Sequence, residues 1–184
     1  MRSAVYPSPG FAWFKAVVFV LLAWNTAAYI HSGTLNEALD SIAWFTLLVL
    51  FELETDFGDR FRGERTALAL RTARLAAAAT LCAAAVGYVR ERGWLDTINT
   101  GFWIGMVALL ELQVRWPRVA AQHRAWFVAG VAALLAGLAM LVLAWAWRGE
   151  WFDTYDALLW LTALVIIEMN VLRGLRRAIP EAPV

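Results

Sequence analysis

Three stretches of this chain repeat one sparse pattern of an acidic residue, a tryptophan and a glutamate. In each stretch the Trp follows the opening acid by seven positions and the Glu follows it by fifteen, giving Glu37/Trp44/Glu52, Asp96/Trp103/Glu111 and Asp153/Trp160/Glu168. The opening acids are separated by 59 and then 57 residues. This period is longer than most soluble repeats and suits a hairpin of two membrane-spanning helices. The sequence therefore predicts three repeated helical hairpins.

Composition indicates that the hairpins lie in a bilayer. The chain has 184 residues, is 61% hydrophobic and only 17% charged, and has a mean hydropathy of +0.59. A soluble domain of this size could not bury so much apolar surface. Its net charge of +1 provides no concentrated basic face for nucleic acid. The lipid bilayer is thus the expected partner, and a nucleic acid is not.

Six hydrophobic runs are each about as long as a helix that crosses ~30 Å of hydrocarbon. They must be helices, because an isolated strand in lipid would leave its backbone groups unpaired. We expect a single all-α integral membrane domain over 1–184, with three hairpins (about 11–57, 67–114 and 125–172) related by pseudo-threefold symmetry. The six predicted spans are 11–30, 39–57, 67–89, 96–114, 125–147 and 154–172.

The distribution of basic residues predicts the orientation. Only Arg90, Arg92 and Arg148 fall on the side of the three short turns, while the other thirteen of the sixteen Lys and Arg residues fall on the side of the termini. By the positive-inside rule, both termini are then cytoplasmic in the plasma (inner) membrane of a cell. The short turns around 31–36, 90–95 and 148–152 are expected to face outward.

The opening acids admit two interpretations. They fall in the first turn of the second helix of each hairpin, where free N–H groups and the positive end of the helix dipole favour carboxylates. Helix capping is the simpler interpretation. The alternative is an outer acidic ring that concentrates cations at a pore mouth. The residues concerned are Glu37, Asp40, Asp96, Asp153 and Asp156.

The eleven tryptophans suit interfacial belts and helix packing. Trp44, Trp103 and Trp160 lie at equivalent places in the repeat, so the alternative is a shared aromatic lining for a ligand. Neither His31 nor His123 has a second His placed to ligate a haem or a chlorophyll. We therefore expect no cofactor and no metal.

The glutamates of the repeat are harder to explain by packing alone. Glu52, Glu111 and Glu168 are expected about 22 Å along their helices, where a carboxylate in a membrane span needs a partner or a wet cavity. Counting back from each turn, Lys15 shares the depth of Glu52, and Arg74 that of Glu111. These residues are either structural ion pairs or, with Glu168 in particular, part of a proton path.

Small residues in the third and fifth runs, including Gly130, Ala133 and Gly137, offer faces for close helix packing. We expect these two helices to be central.

The sequence contains no nucleophile elbow, zinc-binding helix motif or phosphate-binding glycine loop, so we expect no enzyme. Two functions remain open. The first is a channel or transporter for protons or cations that uses the membrane-embedded glutamates. The second is a non-catalytic structural or accessory subunit of a larger membrane complex. Association with itself or with membrane partners fits either function.

Overall fold

The computed structural model describes residues 9–57 and 63–178, and over these residues it contains seven α-helices and no strand. Side chains are described over 10–55, 63–113 and 115–166. The helices are α1 (Pro9–Ser32), α2 (Leu35–Phe57), α3 (Glu64–Glu91), α4 (Trp94–Arg115), α5 (Pro117–Gln122), α6 (Arg124–Arg148) and α7 (Trp151–Ala178).

Three of these helices are long and apolar enough to cross a membrane, namely the Gly10–Ser32 part of α1, then α3 and α6. They are the first helices of the three predicted hairpins, whose second helices, α2, α4 and α7, carry the repeated acids. Many large apolar side chains on α1 and α6 point outward, including Trp13, Trp126 and Trp147. An outer surface of this kind indicates association with lipid.

Two-residue turns join α1 to α2, α3 to α4 and α6 to α7, and each of these pairs packs together. Before α2, the Thr34 backbone N–H donates a 2.6 Å hydrogen bond to Glu37 Oε2, and the Glu37 N–H donates to Thr34 Oγ1. This reciprocal arrangement is a capping box. The other two turns contain a left-handed residue, Arg92 (φ 60°) or Gly149 (φ 77°), which ends the first helix. We call the end of the bundle that holds these turns the turn end.

The six long helices form a closed ring. Around it, contacts run from α1 to α2, α3, α4, α6 and α7 and back to α1, and the most extensive contact is between α2 and α3. Apolar residues fill the seams, for example Leu22 of α1 with Leu48 of α2 and Leu159 of α7. The first and last long helices therefore pack against each other.

Glycines allow close approach between neighbouring helices, as the small residues predicted. A methyl group on Gly137 of α6 would lie 2.4 Å from Phe102 Cε2 of α4, and one on Gly130 would lie 3.3 Å from Leu109 Cδ1.

The prediction that the third and fifth runs form the centre is wrong. Only 22% of the apolar window of α3 and 17% of that of α6 are buried, whereas α2, α4 and α7 bring side chains to the middle. The physical reason is that alanine and glycine can face lipid at little cost in free energy, whereas polar residues cannot. The helices that carry the polar residues therefore direct them to the interior of the bundle.

Candidate functional site

Three indoles meet at the centre of the helix ring. The ring centroids of Trp44, Trp103 and Trp160 are 6.1, 6.3 and 6.4 Å apart, and the ring planes are inclined to one another by 56–65°. Tilted and edge-to-face contacts at these distances are favourable. Because each Trp lies seven residues after the opening acid of its helix, the three side chains reach a common depth. We call this group the Trp triad.

A cavity of about 50 Å³ lies between the Trp triad and the turn end. It is large enough for a few water molecules. All five predicted opening acids line this cavity, and they come from three helices: Glu37 and Asp40 from α2, Asp96 from α4, and Asp153 and Asp156 from α7. We call it the acidic cavity. An opening acid can therefore cap its helix and line the cavity at the same time, as Glu37 does.

Hydrogen bonds fix the α7 side of the acidic cavity to α1. Tyr29 Oη donates to Asp153 Oδ1, and Asn25 Nδ2 donates to Asp156 Oδ1, each over 2.9 Å. Burial raises the pKa of the Asp153 carboxyl above its ordinary value, and the negative charge of Glu37 raises this pKa further. The hydrogen bonds from Tyr29 and from the Asp153 backbone N–H lower the pKa, but by less than burial raises it. Both carboxylates therefore have a fixed orientation in a partly desolvated place.

On the opposite side of the cavity, α2 and α4 meet through Asp40. The Trp44 indole and the Thr100 hydroxyl lie beside the Asp40 carboxyl as hydrogen-bond donors. Thr100 is only 1% exposed, and all three residues line the acidic cavity. Asp40 therefore has polar neighbours within the protein, as buried carboxyl groups require.

The cavity also has an aromatic wall that was not predicted from the sequence. Tyr29 of α1, Tyr88 of α3 and Trp145 of α6 line it, and Tyr88 and Trp145 are buried. These residues are separated by 59 and then 57 residues, the same steps as the opening acids. This repeated aromatic position in the first helix of each hairpin is the sequence signal for the wall.

Two of the predicted intramembrane carboxylates, Glu52 and Glu111, do not line the cavity. Lys15 Nζ contacts Glu52 Oε1, so the structure brings this predicted pair together across α1 and α2. Glu168 belongs to α7, but its side chain lies outside the described residues.

The structure does not bring Arg74 and Glu111 together. Arg74 instead contacts Glu54 of α2, and Glu111 pairs with Arg115 one turn further along α4, at 2.5 Å. The reason lies in the ring, where α3 packs more extensively against α2 than against α4. Depth alone could not decide between these two neighbours.

The acidic cavity has the chemistry of a cation site. Coulomb attraction from several carboxylates favours positive charge, and aromatic rings add attraction for cations held against their faces. Within the described residues, no group of three or more His, Cys, Asp or Glu side chains is placed to hold a metal ion. Comparison with protein-family models, with curated proteins and with solved structures finds no match.

Proposed function

We propose that this chain is a six-span inner-membrane protein of three hairpins related by a pseudo-threefold axis, with both termini cytoplasmic, and that it conducts protons or another cation. The architecture is supported by the closed helix ring and by the Trp triad, whose three sides differ by only 0.3 Å. Under the proposed orientation the turn end faces outward. The acidic cavity is then the external entrance.

One observation carries the transport proposal: the acids of all three hairpins converge on one cavity at one end of the ring. Carboxylates grouped in a cleft with low-dielectric walls raise the local concentration of cations. Rings of Asp and Glu select cations in the same way at channel mouths. A purely capping role would leave such side chains on separate helix ends and would need no shared cavity.

The Trp triad closes the inner end of the cavity, so transport requires the indoles to move. Side chains that pack edge to face are held by contacts of about 0.5–1.5 kcal/mol per pair, which thermal motion can break. Beyond the triad, Glu52, Glu111 and Glu168 are the candidate carboxylates for the rest of the path. In this mechanism Glu52 would exchange its contact with Lys15 for the passing ion.

The closed triad also favours a second candidate function, a structural subunit of a larger membrane complex. A subunit of that kind needs a rigid interior without a water-filled path, and the ion pair between Lys15 and Glu52 holds α1 against α2. Exposed tryptophans such as Trp147 would then contact partner proteins or lipid. A stable complex recovered with the protein in mild detergent would favour this alternative.

Flux measurements with the full chain in liposomes test the proposal. Proton and K⁺ flux is compared between the wild type and Asp40→Asn/Asp156→Asn, two substitutions that remove charge from the acidic cavity with little change in shape. The matched control is Glu91→Gln, an exposed acid at the turn end that does not line the cavity.

We expect at least a fivefold loss of flux in the double variant and wild-type flux in the control. Equal flux in all three proteins, or wild-type flux no higher than in empty liposomes, would overturn the proposal.

A further inference from the structure

We propose that Asp156 and Asn25 form a proton-binding pair at the acidic cavity, in which Asp156 takes up the proton and Asn25 accepts the hydrogen bond of the new O–H group. This inference rests on the proposed cation transport, and it names the proton as the cation and this pair as the place where it binds. It depends on a buried amide oxygen of Asn25 and on the carboxyl groups that surround Asp156.

The Asn25 amide is paired at only one of its two ends. Its Nδ2 donates a 2.9 Å hydrogen bond to Asp156 Oδ1, whereas its Oδ1 accepts no hydrogen bond from any described residue. Asn25 is 1% exposed and does not line the cavity, so water in the cavity does not reach this oxygen. A buried acceptor without a donor is destabilising, and such atoms are rare in folded proteins. A donor for the oxygen is therefore expected close by.

A protonated Asp156 supplies that donor. An ionised carboxylate only accepts hydrogen bonds, whereas a carboxylic acid also carries an O–H group. The Asn25 oxygen and nitrogen are bonded to the same carbon, so the oxygen lies within reach of the carboxyl group that the nitrogen contacts. The proton comes from water, binds to the carboxyl oxygen that Asn25 Nδ2 does not contact, and removes one negative charge. When it returns to water, the carboxylate is restored.

The groups around Asp156 favour a proton there. Tyr29 of α1 and Tyr88 of α3 line the cavity, and a tyrosine is uncharged near neutral pH. From α6 comes Trp145, which does not titrate, and no Lys or Arg of the described part of the chain lines the cavity. Carboxylates that share a space of about 50 Å³ repel one another, so a proton on one of them relieves the repulsion. The four other carboxyl groups of the cavity are those of Glu37, Asp40, Asp96 and Asp153.

Comparison of the repeats distinguishes Asp156 from its equivalents. The equivalent positions, at steps of 59 and then 57 residues, hold Asp40 and Asn99. Asn99 has no acidic group. The α3 helix, which packs against α2, has Ala84 where α1 has Asn25, so Asp40 receives no amide from the equivalent position. Of the three positions, that of Asp156 alone combines an acid with a buried amide.

Infrared difference spectroscopy on the full chain in detergent tests the pair. Spectra near pH 8 and at about pH 5 are compared, because an ordinary Asp is still mostly ionised at the lower pH. We expect the wild type to gain the C=O band of a protonated carboxyl at the lower pH, and Asp156→Asn to lose that band. The control is Glu91→Gln, which removes an exposed acid outside the cavity and should keep the band.

The role of Asn25 is tested by the position of the same band. In Asn25→Leu the carboxyl loses both hydrogen bonds to the amide, so the band should move to higher wavenumber. The control is Thr26→Val on the same helix, because the Thr26 hydroxyl pairs with Ser41 and with the Leu22 carbonyl. An unchanged wavenumber in a folded Asn25→Leu protein would show that Asn25 does not accept the O–H hydrogen bond.

Asp156→Asn still decides the inference if Asn25→Leu fails to fold. The amide that it introduces can accept from Asn25 Nδ2 and donate to Asn25 Oδ1, so this variant keeps the contact between α1 and α7. If Asn25 serves only to hold an ionised Asp156, the band at about pH 5 is the same in Asp156→Asn as in the wild type. That result would overturn the inference.

Proton and K⁺ flux in liposomes separates this inference from the proposed function. Loss of both the band and at least nine-tenths of the proton flux in Asp156→Asn, roughly a tenfold effect, supports both. If the band depends on Asp156 but the wild type conducts neither ion, the pair binds a proton and the transport proposal is wrong. If the wild type conducts protons and Asp156→Asn changes neither band nor flux, transport stands and this pair is not its proton site. Flux of K⁺ without protons would also overturn the inference.

Discussion

Tyr29 on α1 donates a 2.9 Å hydrogen bond to Asp153 in the first turn of α7, and so joins the first and last of the described helices. Phe152 packs beside it, with its ring centroid 4.9 Å from that of Tyr29. This hydrogen bond joins the two helices beside the acidic cavity, which both residues line. It therefore links the architecture of the bundle to the geometry of the candidate site.

Replacing Tyr29 with Phe should destabilise the protein by about 1–3 kcal/mol, because it leaves a partly buried carboxylate without its donor. Thermal unfolding in detergent measures the change. The matched control is Tyr155→Phe on α7, at an exposed position, which should leave the unfolding temperature unchanged. An equal loss in both variants would mean that the hydrogen bond to Asp153 is not what stabilises the ring.

The raised pKa of the Asp153 carboxyl predicts a pH-dependent stability. The folded protein binds this proton more tightly than the unfolded chain does, so the stabilising contribution is fully present below about pH 4, the unfolded value, and is lost as the pH rises through the raised pKa. Asp153→Asn should therefore be more stable than the wild type near pH 8, with the difference shrinking towards pH 4. Unfolding curves at several pH values test this, with Glu91→Gln as the control. A difference that stays constant with pH would contradict the assignment.

The sequence predicted the helical membrane character of the fold, but it did not predict all of the side chains that pair. Asp96 and Trp103 have the same spacing in α4 as Glu37 and Trp44 have in α2, so equivalent residues lie at the same depth. In the structure all four residues line the acidic cavity. Depth says nothing about which neighbouring helix a long side chain will reach. The partner of Arg74 is accordingly Glu54 and not Glu111.

The role of Thr100 could not be predicted from the sequence for a related reason. A threonine in a helix normally donates to the carbonyl four residues earlier, as Thr26 and Thr97 do here. Only the packed structure shows that the Thr100 hydroxyl of α4 lies beside the Asp40 carboxyl of α2. A polar residue in a predicted span therefore indicates an inward-facing position without indicating its partner.

Under the proposed transport function, the Trp triad is the barrier to flow. Trp103→Ala removes one of the three indoles and should raise the cation flux in liposomes at least tenfold. Trp147→Ala is the control, since Trp147 is 93% exposed and lies outside the cavity. Trp103→Phe should give an intermediate flux and also serves if the alanine variant fails to fold. Wild-type flux in a folded Trp103→Ala protein would show that the triad is not the barrier.

The contact between Lys15 and Glu52 should stabilise the first two helices only while both charges are present. The side chains are 20% and 14% exposed, so removing one partner leaves a poorly solvated charge. We expect Lys15→Met and Glu52→Gln each to lose about 1–3 kcal/mol of unfolding free energy, and the double variant to lose less than the sum. The same cycle on Arg115 and Glu111, which are 66% and 52% exposed, should show little coupling. Additive losses at Lys15 and Glu52 would refute the coupling.

The contact between Gly137 and Phe102 provides a test of the packing of α6 against α4. Gly137→Ala would place a methyl group 2.4 Å from Phe102 Cε2, so either the ring or the helix must move, at a cost of about 1–3 kcal/mol. Gly101→Ala is the matched control, because a methyl group there meets nothing within 4 Å and should be neutral or stabilising by up to about 1 kcal/mol. Adding Phe102→Leu to Gly137→Ala should restore part of the stability, since a leucine is smaller than the ring. If Gly137→Ala is as stable as Gly101→Ala in thermal unfolding, the two helices are not held at the close distance that the structure shows.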